Sequence, residues 1–473
     1  MMTVTTIRLA GSMHAGRETV DVRNPYGGDV VGVVPLCGPD EVDRACRSAA
    51  DALARGDFPQ YRRAEVLERA ASLMRDRIEE FAQRIMLESG KPIRTARGEA
   101  ARCADTLIFA AVEARKLAGE VVPAEASASG AGKFAFALRM PIGVVAAIAP
   151  FNFPLNLVAH KLAPAIAAGC PVVLKPAPQT PLSGIALVEL LVEAGLPEDW
   201  ISVVCDTRAE AGGPLFEHEI PRMVTFTGSA PVGWSIAGKA PRKKVSLELG
   251  ANSPLIIEPD ADLDAIVEKV KVAGFSHAGQ SCISVQRIIV QREVHERFVA
   301  SVAKAAESLV VGDPADEATD VGPLIAPREA DRVKGWIEEA TAVGAELVTG
   351  GTVTDDGILR PTVVDRAPRD TNLCAKEVFG PVVVTIPYDE FDEALELAND
   401  TAFGLHVGVF TSDLGKALRA ARELDFGGVL VNEVPTFRAD QQPYGGIRDS
   451  GNTREGPKYA VEEMTELRFV SFQ

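Results

Sequence analysis

Apolar residues along this chain change their spacing twice, and each change marks a different kind of structure. Leu67, Ala70, Met74, Ile78, Phe81 and Ile85 step by three and four, which puts them on one face of a helix that Gly90 and Pro92 end. Pro39 and Asp40 open an earlier helix reaching about Arg55, and residues 96–118 read as a third. Between 120 and 140 the period shortens to two. Phe134, Phe136 and Leu138 alternate with other residues behind the small-residue loop 127–132, the pattern of a two-stranded ribbon. A lone ribbon is marginal in water, so it is expected to pack on something else, such as another subunit.

From Gly143 onward, short apolar runs alternate with helical stretches. The runs GVVAAI, VVLKP, ISVVC, MVTFTG, KVSLEL and PLIIE read as strands, with helices at 181–194 and 231–239 between some of them. Such runs need a mostly parallel sheet covered on both faces, so the fold class is α/β. A second α/β series follows from Asp262 to about Val431, and the tail GPKYAVEEMTELRFVSF ends in a strand. There is no internal repeat.

The 473 residues suit two or three domains. With 47% hydrophobic and 24% charged residues the chain is not mainly disordered. A net charge of −17 disfavours nucleic acid and anionic membranes as partners, while leaving room for a small anion in a local basic pocket. The N-terminal residues lack the basic and apolar regions of a secretory signal. The most apolar region, Pro141 to Leu174, is broken by Asn152, Pro154, Asn156, His160, Lys161 and Pro164, so it reads as buried core. The seven cysteines are scattered, with no CxxC pair and no zinc spacing. Reduced thiols in a cytoplasmic protein without a metal are the expectation.

Six segments carry candidate chemistry. Cys282 in GQSCIS has small and polar neighbours, although a lone thiol is as readily a buried spectator. Glu248 in SLELGANSP sits where a strand meets a loop. A semi-buried carboxyl there has a raised pKa and takes a proton, or else forms an ordinary ion pair. Asn152 in APFNFP is held stiffly between aromatics and prolines. A fixed amide donor suits an oxyanion, where losing it costs about 3–4 kcal/mol of barrier, but an asparagine also serves turns. Lys175 ends the VVLKP strand, at the edge where parallel sheets bind ligands, unless it is simply solvated. Gly228-Ser229 and Gly233 follow the MVTFTG strand in a turn that could present N–H groups to a phosphate, or merely be tight. Glu377 and Phe379 stand before a rigid Gly-Pro.

Taken together, PFNFP, KPAPQTP, FTGSAPVG, LELGANSP, GQSCIS, EVFGP and PYGGIRDSG, in this order over about 300 residues, resemble the aldehyde dehydrogenase superfamily. The resemblance implies a Rossmann-like cofactor domain, an α/β catalytic domain and a bridging β-ribbon, assembled as a homodimer or homotetramer. It divides the chain into 1–117 and 141–248 for the cofactor, 118–140 for the ribbon, 249–432 for catalysis, and 433–473 as a return segment and oligomerisation tail. Cys282 would be the nucleophile, Glu248 the general base, and Asn152 with the Cys282 N–H the oxyanion hole. Lys175, Glu377 and Phe379 would hold NAD or NADP, with Gly228, Ser229 and Gly233 by the pyrophosphate.

Two departures stand out. Gly250-Ala251 replaces the usual Gly-Gly after the glutamate-leucine pair. Pro178 stands where many NAD-preferring members have an acid, which leaves NADP open. CISVQR, NLVAHKLAPAIAAG, PTFRADQQPYGG and REGPKYAVEEMTE resemble the lactaldehyde, non-phosphorylating glyceraldehyde-3-phosphate and phosphonoacetaldehyde dehydrogenases. Three basic residues are candidates to hold a substrate anion: Arg102 and Arg438, unless each serves a structural ion pair, and His160, which lines the same tunnel unless it has a hydrogen-bonded core role. Against a phosphate, Ser281 stands where such relatives often have an arginine. The expected activity is NAD(P)-dependent oxidation of a small polar or anionic aldehyde to the acid through a Cys282 thiohemiacetal and thioester. The rivals are transfer of the acyl group to CoA, a thiol hydrolase without redox chemistry, for which His277 is the local base, and a non-catalytic scaffold.

Overall fold

The computed structural model describes residues 4–206 and 212–473. Four helices come early: α1 (Pro39–Arg55), α2 (Gln60–Asp76), α3 (Ile78–Ser89) and α4 (Ile93–Lys116). The first begins at the proline expected to open it, with its cap one residue earlier. Gly38 is the N-cap, its N–H donating to the Glu41 carboxylate at 3.0 Å, and Pro39 takes the first helical position, where its missing N–H costs nothing. The single apolar face read over 67–85 belongs to two helices. Arg77 leaves the helical region at φ −119°, ψ 20°. Because Met74 and Ile78 still step by four across the break, periodicity alone does not register it.

The ribbon consists of β1 (Glu120–Val122) and β2 (Phe134–Pro141). A third strand, β15 (Thr465–Phe472), pairs antiparallel along all of β2. Part of what stabilises the ribbon is therefore the chain's own C-terminal tail.

Five of the six apolar runs form one parallel sheet. They are β3 (Val145–Ile148), β4 (Val172–Lys175), β5 (Ile201–Val203), β6 (Met223–Thr227) and β7 (Lys244–Glu248), in the order β7-β6-β3-β4-β5. Helices α5 (Asn156–Ala168), α6 (Leu182–Glu193) and α7 (Ala230–Lys239) connect them. The helices α1–α4 share one continuous core with this sheet. The order reverses between β3 and β6, and ligands bind outside the carboxyl ends of strands at such a switch point.

The sixth run, β8 (Pro254–Ile257), leaves that sheet and enters a second one. It joins β9 (Arg287–Gln291), β10 (Glu346–Thr349), β11 (Thr362–Asp365), β12 (Val382–Tyr388), β13 (His406–Phe410) and β14 (Gly428–Val431), in the order β10-β11-β12-β9-β8-β13-β14. All are parallel except β10, which runs antiparallel to β11. Leu255 and Ile257 enter the core on one face, and Ile256 the core on the other, so an uninterrupted apolar run is what this strand requires. Residues 249–253 thus carry the chain from one sheet to the other. Among the described residues, no helix is long and apolar enough to cross a membrane, and no His, Cys, Asp or Glu cluster suits a metal.

Candidate active site

Cys282 is delivered by a strained turn between α8 (Leu263–Phe275) and β9. His277, Ala278 and Gly279 take positive φ in succession, at 50°, 53° and 70°. Two of them are not glycine, so the turn stores backbone strain that the surroundings must hold. At Gly279 a side chain would collide with the Gly380 carbonyl. The Cys282 sulfur lies 2.9 Å from the Tyr444 hydroxyl. Burial pushes this thiol up to about 12, while the Tyr444 contact and the Arg438 charge pull the other way. Cys282 is partly exposed, the other six cysteines are buried, and all seven are free.

Asn152 reaches the same turn from the first sheet, its amide donating to the Gln280 carbonyl at 2.9 Å. Glu248 ends β7. Both of its carboxylate oxygens are buried without a hydrogen-bond partner among the described residues. Burial, and next the charge of Glu455, push it well above the usual carboxylate range. A desolvated carboxyl without donors is poised to take a proton.

Two cavities meet at this point. A larger one, about 570 Å³, is lined by Asn152, Lys175, Gly228, Ser229, Glu248, Glu377, Phe379 and Cys282. A smaller one, about 240 Å³, is lined by Arg102, Phe153, His277, Ser281, Arg438, Tyr444 and Cys282. Leu157 and Cys282 line both, and of the two only Cys282 carries a reactive group.

The larger cavity fits a dinucleotide. It opens at the carboxyl ends of β4, β6 and β7. Lys175 ends β4 and pairs with Asp206 at 2.7 Å. Gly228-Ser229 leads into α7, whose first turn has no side-chain cap, so its N–H groups remain for an anion. Glu377 accepts from the Ala251 N–H at 3.2 Å, and burial pushes it up to about 7. Its carboxyl occupies the space a side chain on Gly250 would need. Phe379 has φ 48° and packs edge-on against Phe151, with ring centres 5.7 Å apart. Gly233, by contrast, is set back from the cavity. It lets α7 approach β7, where a side chain would meet Leu247 and Leu249. Pro178 lines the cavity, so no carboxylate stands at that position.

In the smaller cavity Arg102 is partly exposed and donates to Asp440 at 2.7 Å. Arg438 is buried, paired with Glu455, and its guanidinium lies 4.0 Å over the Tyr444 ring. His160 does not line the tunnel, contrary to the expectation. It is fully buried behind it, with Nε2 3.2 Å from Asp440 and 3.4 Å from the Thr106 hydroxyl, and burial lowers its pKa. The cavity reaches only the first turn of α5, at Asn156 and Leu157, so His160 one turn further on lies behind that wall.

Sequence reasoning passed over Tyr444, Asp440, Glu455 and Lys161. Tyr444 stood in a quoted motif without a role. Lys161 is buried and donates to the Thr225 and Thr227 hydroxyls at 3.2 and 2.6 Å. A charge inside an otherwise apolar helix was its signal. His277 is buried and packs on Phe153, its ring nitrogens have no hydrogen-bond partner among the described residues, and the thiol's partner is Tyr444 rather than an imidazole.

Comparison with known proteins bears on this geometry. Residues 13–470 match the aldehyde dehydrogenase family. The 3-sulfolactaldehyde dehydrogenase of Priestia aryabhattai is 46% identical over 460 residues, covering 97% of this chain and 96% of the relative. Aldehyde dehydrogenase 21 from Physcomitrella patens, solved with the reaction product succinate, superposes with a TM-score of 0.96 at 40% identity, over 100% of this chain and 99% of that one. The NADP-dependent glyceraldehyde-3-phosphate dehydrogenase from Bacillus halodurans, complexed with NADP, gives a TM-score of 0.96 at 35% identity over 100% of both chains.

Proposed function

The chain belongs to the aldehyde dehydrogenase family and is an NAD(P)-dependent oxidoreductase, and we propose that it converts a small polar or anionic aldehyde to its carboxylic acid through a thioester on Cys282. The observation that carries this reading is the position of Cys282 at the junction of a dinucleotide-sized cavity and a small one. A sulfur there reaches an aldehyde from one side and a cofactor from the other.

Each residue then has a task. The Cys282 thiolate adds to the aldehyde carbon, and the oxygen becomes an oxyanion. Asn152 and the Cys282 N–H donate to it, holding the charge where water is excluded. When bound, the dinucleotide supplies the hydride acceptor. Lys175, Glu377 and Phe379 would hold its nucleoside part, with Gly228 and Ser229 by the phosphates. Glu248 takes a proton from water, which attacks the thioester and frees the acid. In sum, aldehyde, water and oxidised dinucleotide give acid, reduced dinucleotide and a proton. Splitting the oxidation at the thioester replaces one difficult step by two easier ones.

The size of the small cavity and Arg102 on its wall support a short substrate with a negative or strongly polar end. The proteins it resembles act on 3-sulfolactaldehyde or carry succinate. Arg438 contributes through its charge but is already paired with Glu455, and His160 acts only through Asp440. Glu248 with two unsatisfied oxygens favours water over CoA as the acyl acceptor. The absence of an imidazole partner for the thiol disfavours hydrolysis without redox chemistry.

We also assign residues 1–117 and 141–248 to cofactor binding, 118–140 and 433–473 to assembly, and 249–432 to catalysis. Phe134, Leu138, Leu467 and Phe469 are exposed on the three-stranded sheet, which suits burial against a second copy in a homodimer or homotetramer.

Turnover of 3-sulfolactaldehyde, succinate semialdehyde, lactaldehyde, glyceraldehyde 3-phosphate, phosphonoacetaldehyde and long alkanals, each with NAD and NADP, tests this. Preference for the short charged or hydroxylated aldehydes supports it, and preference for long alkanals refutes it. Cys282→Ala should bind dinucleotide yet reduce none, and a Cys282→Ala enzyme that still oxidises aldehyde rules out the assigned nucleophile.

A further inference from the structure

We propose that Tyr444 is a catalytic residue: its hydroxyl, 2.9 Å from the Cys282 sulfur, donates a hydrogen bond that stabilises the thiolate before attack. This rests on the reading of Cys282 as nucleophile.

The ring of Tyr444 has little freedom. It is buried, its N–H donates to the Glu455 carbonyl at 3.1 Å, and the His406 ring packs edge-on at 5.0 Å. The Arg438 guanidinium covers one face at 4.0 Å, itself fixed by the ion pair with Glu455. The hydroxyl therefore points at one sulfur and stays there. A cation over a phenol ring draws electron density from the oxygen, which makes its O–H a stronger donor.

The thiolate needs such a donor. No imidazole or ammonium group contacts the sulfur among the described residues. Of the charged groups acting on it, Arg438 favours the thiolate, and Glu377 and Glu248 disfavour it. Burial alone keeps the proton on sulfur. Tyr444 brings hydrogen bonding to the charged form, and Arg438 acts through it as well as through space. Since Tyr444 also lines the small cavity, the bond is available as the aldehyde arrives.

The test is the pH dependence of Cys282 alkylation by iodoacetamide, followed by mass on the peptide containing it. The other six cysteines are buried and serve as the internal background. In Tyr444→Phe the alkylation rate at neutral pH should fall about tenfold, equivalent to a thiol titrating about one pH unit higher. The kcat for aldehyde should fall with it, while dinucleotide affinity and the thermal midpoint stay at parental values. A purely structural tyrosine would move the midpoint and leave the alkylation profile in place. Superimposable profiles for parent and variant overturn the proposal. If the phenylalanine chain does not accumulate, Tyr444→Leu removes the same hydroxyl and is read the same way. Turnover that survives in Cys282→Ala defeats the nucleophile assignment, whereas an essential Cys282 with an unchanged Tyr444→Phe profile defeats this inference alone.

Discussion

The Asn152 amide donates to the Gln280 carbonyl at 2.9 Å, and this bond ties the PFNFP loop of one sheet to the turn that carries Cys282 at the edge of the other. One amide hydrogen is thereby used and the second remains for the substrate oxygen. Asn152→Ala should lower kcat by about 10²–10³-fold, the usual loss for one oxyanion donor, with dinucleotide affinity unchanged. Steady-state rates and a binding titration check this, and a variant as fast as the parent would contradict it.

The same turn depends on Gly279. Its φ of 70° is left-handed, and a methyl group there would strike the Gly380 backbone. Gly279→Ala should destabilise by about 1–2 kcal/mol from the backbone conformation alone, and more from the collision. The thermal midpoint should fall and the Cys282 alkylation rate should change. An unaltered midpoint would mean the turn is not strained as described.

Much of the frame could be read in advance because it follows from period. Alternating runs of valine and isoleucine specify buried parallel strands, and Cys282, Glu248 and Asn152 sit in short motifs with unusual neighbours. What escaped was long-range. Nothing near Tyr444 in the chain points to a sulfur 162 residues away, and Asp206 announces its pairing with Lys175 only once β4 and β5 lie side by side. His160 shares a helix face with Asn156 and Leu157, which do line the cavity, but spacing gives an angle and not how deep the cavity runs along the helix. Gly233, expected by the pyrophosphate, is set back from the cavity, where a side chain would meet Leu247 and Leu249.

On the proposed reading, Glu377 should give the dinucleotide site a pH dependence. Burial raises its carboxyl to about 7. Ribose hydroxyls donate to the ionised form, so affinity should rise as pH increases through this value and weaken below it, where the proton must first be removed. Glu377→Gln should bind more weakly at high pH and lose this slope. Calorimetric titration on either side of neutrality checks it, and equal slopes in both proteins would exclude Glu377 as the cause.

Arg102 should discriminate by charge. It reaches the small cavity while held by Asp440. Arg102→Gln should reduce kcat/KM for succinate semialdehyde about tenfold, a charge-assisted bond discounted for partial exposure, and leave propanal unaffected. Equal losses for both aldehydes would show that Arg102 only shapes the wall.

The most direct examination of the chemistry is to stop it halfway. Glu248→Gln keeps the shape of the carboxyl but removes the base that activates water, so the acylated enzyme should accumulate. After a short exposure to aldehyde and dinucleotide, acid quenching and peptide mass analysis should find the acyl group on Cys282, with about one reduced nicotinamide formed per site. Reduced nicotinamide appearing while Cys282 stays unmodified, both in this variant and in the rapidly quenched parent, would mean that the oxidation does not pass through this sulfur.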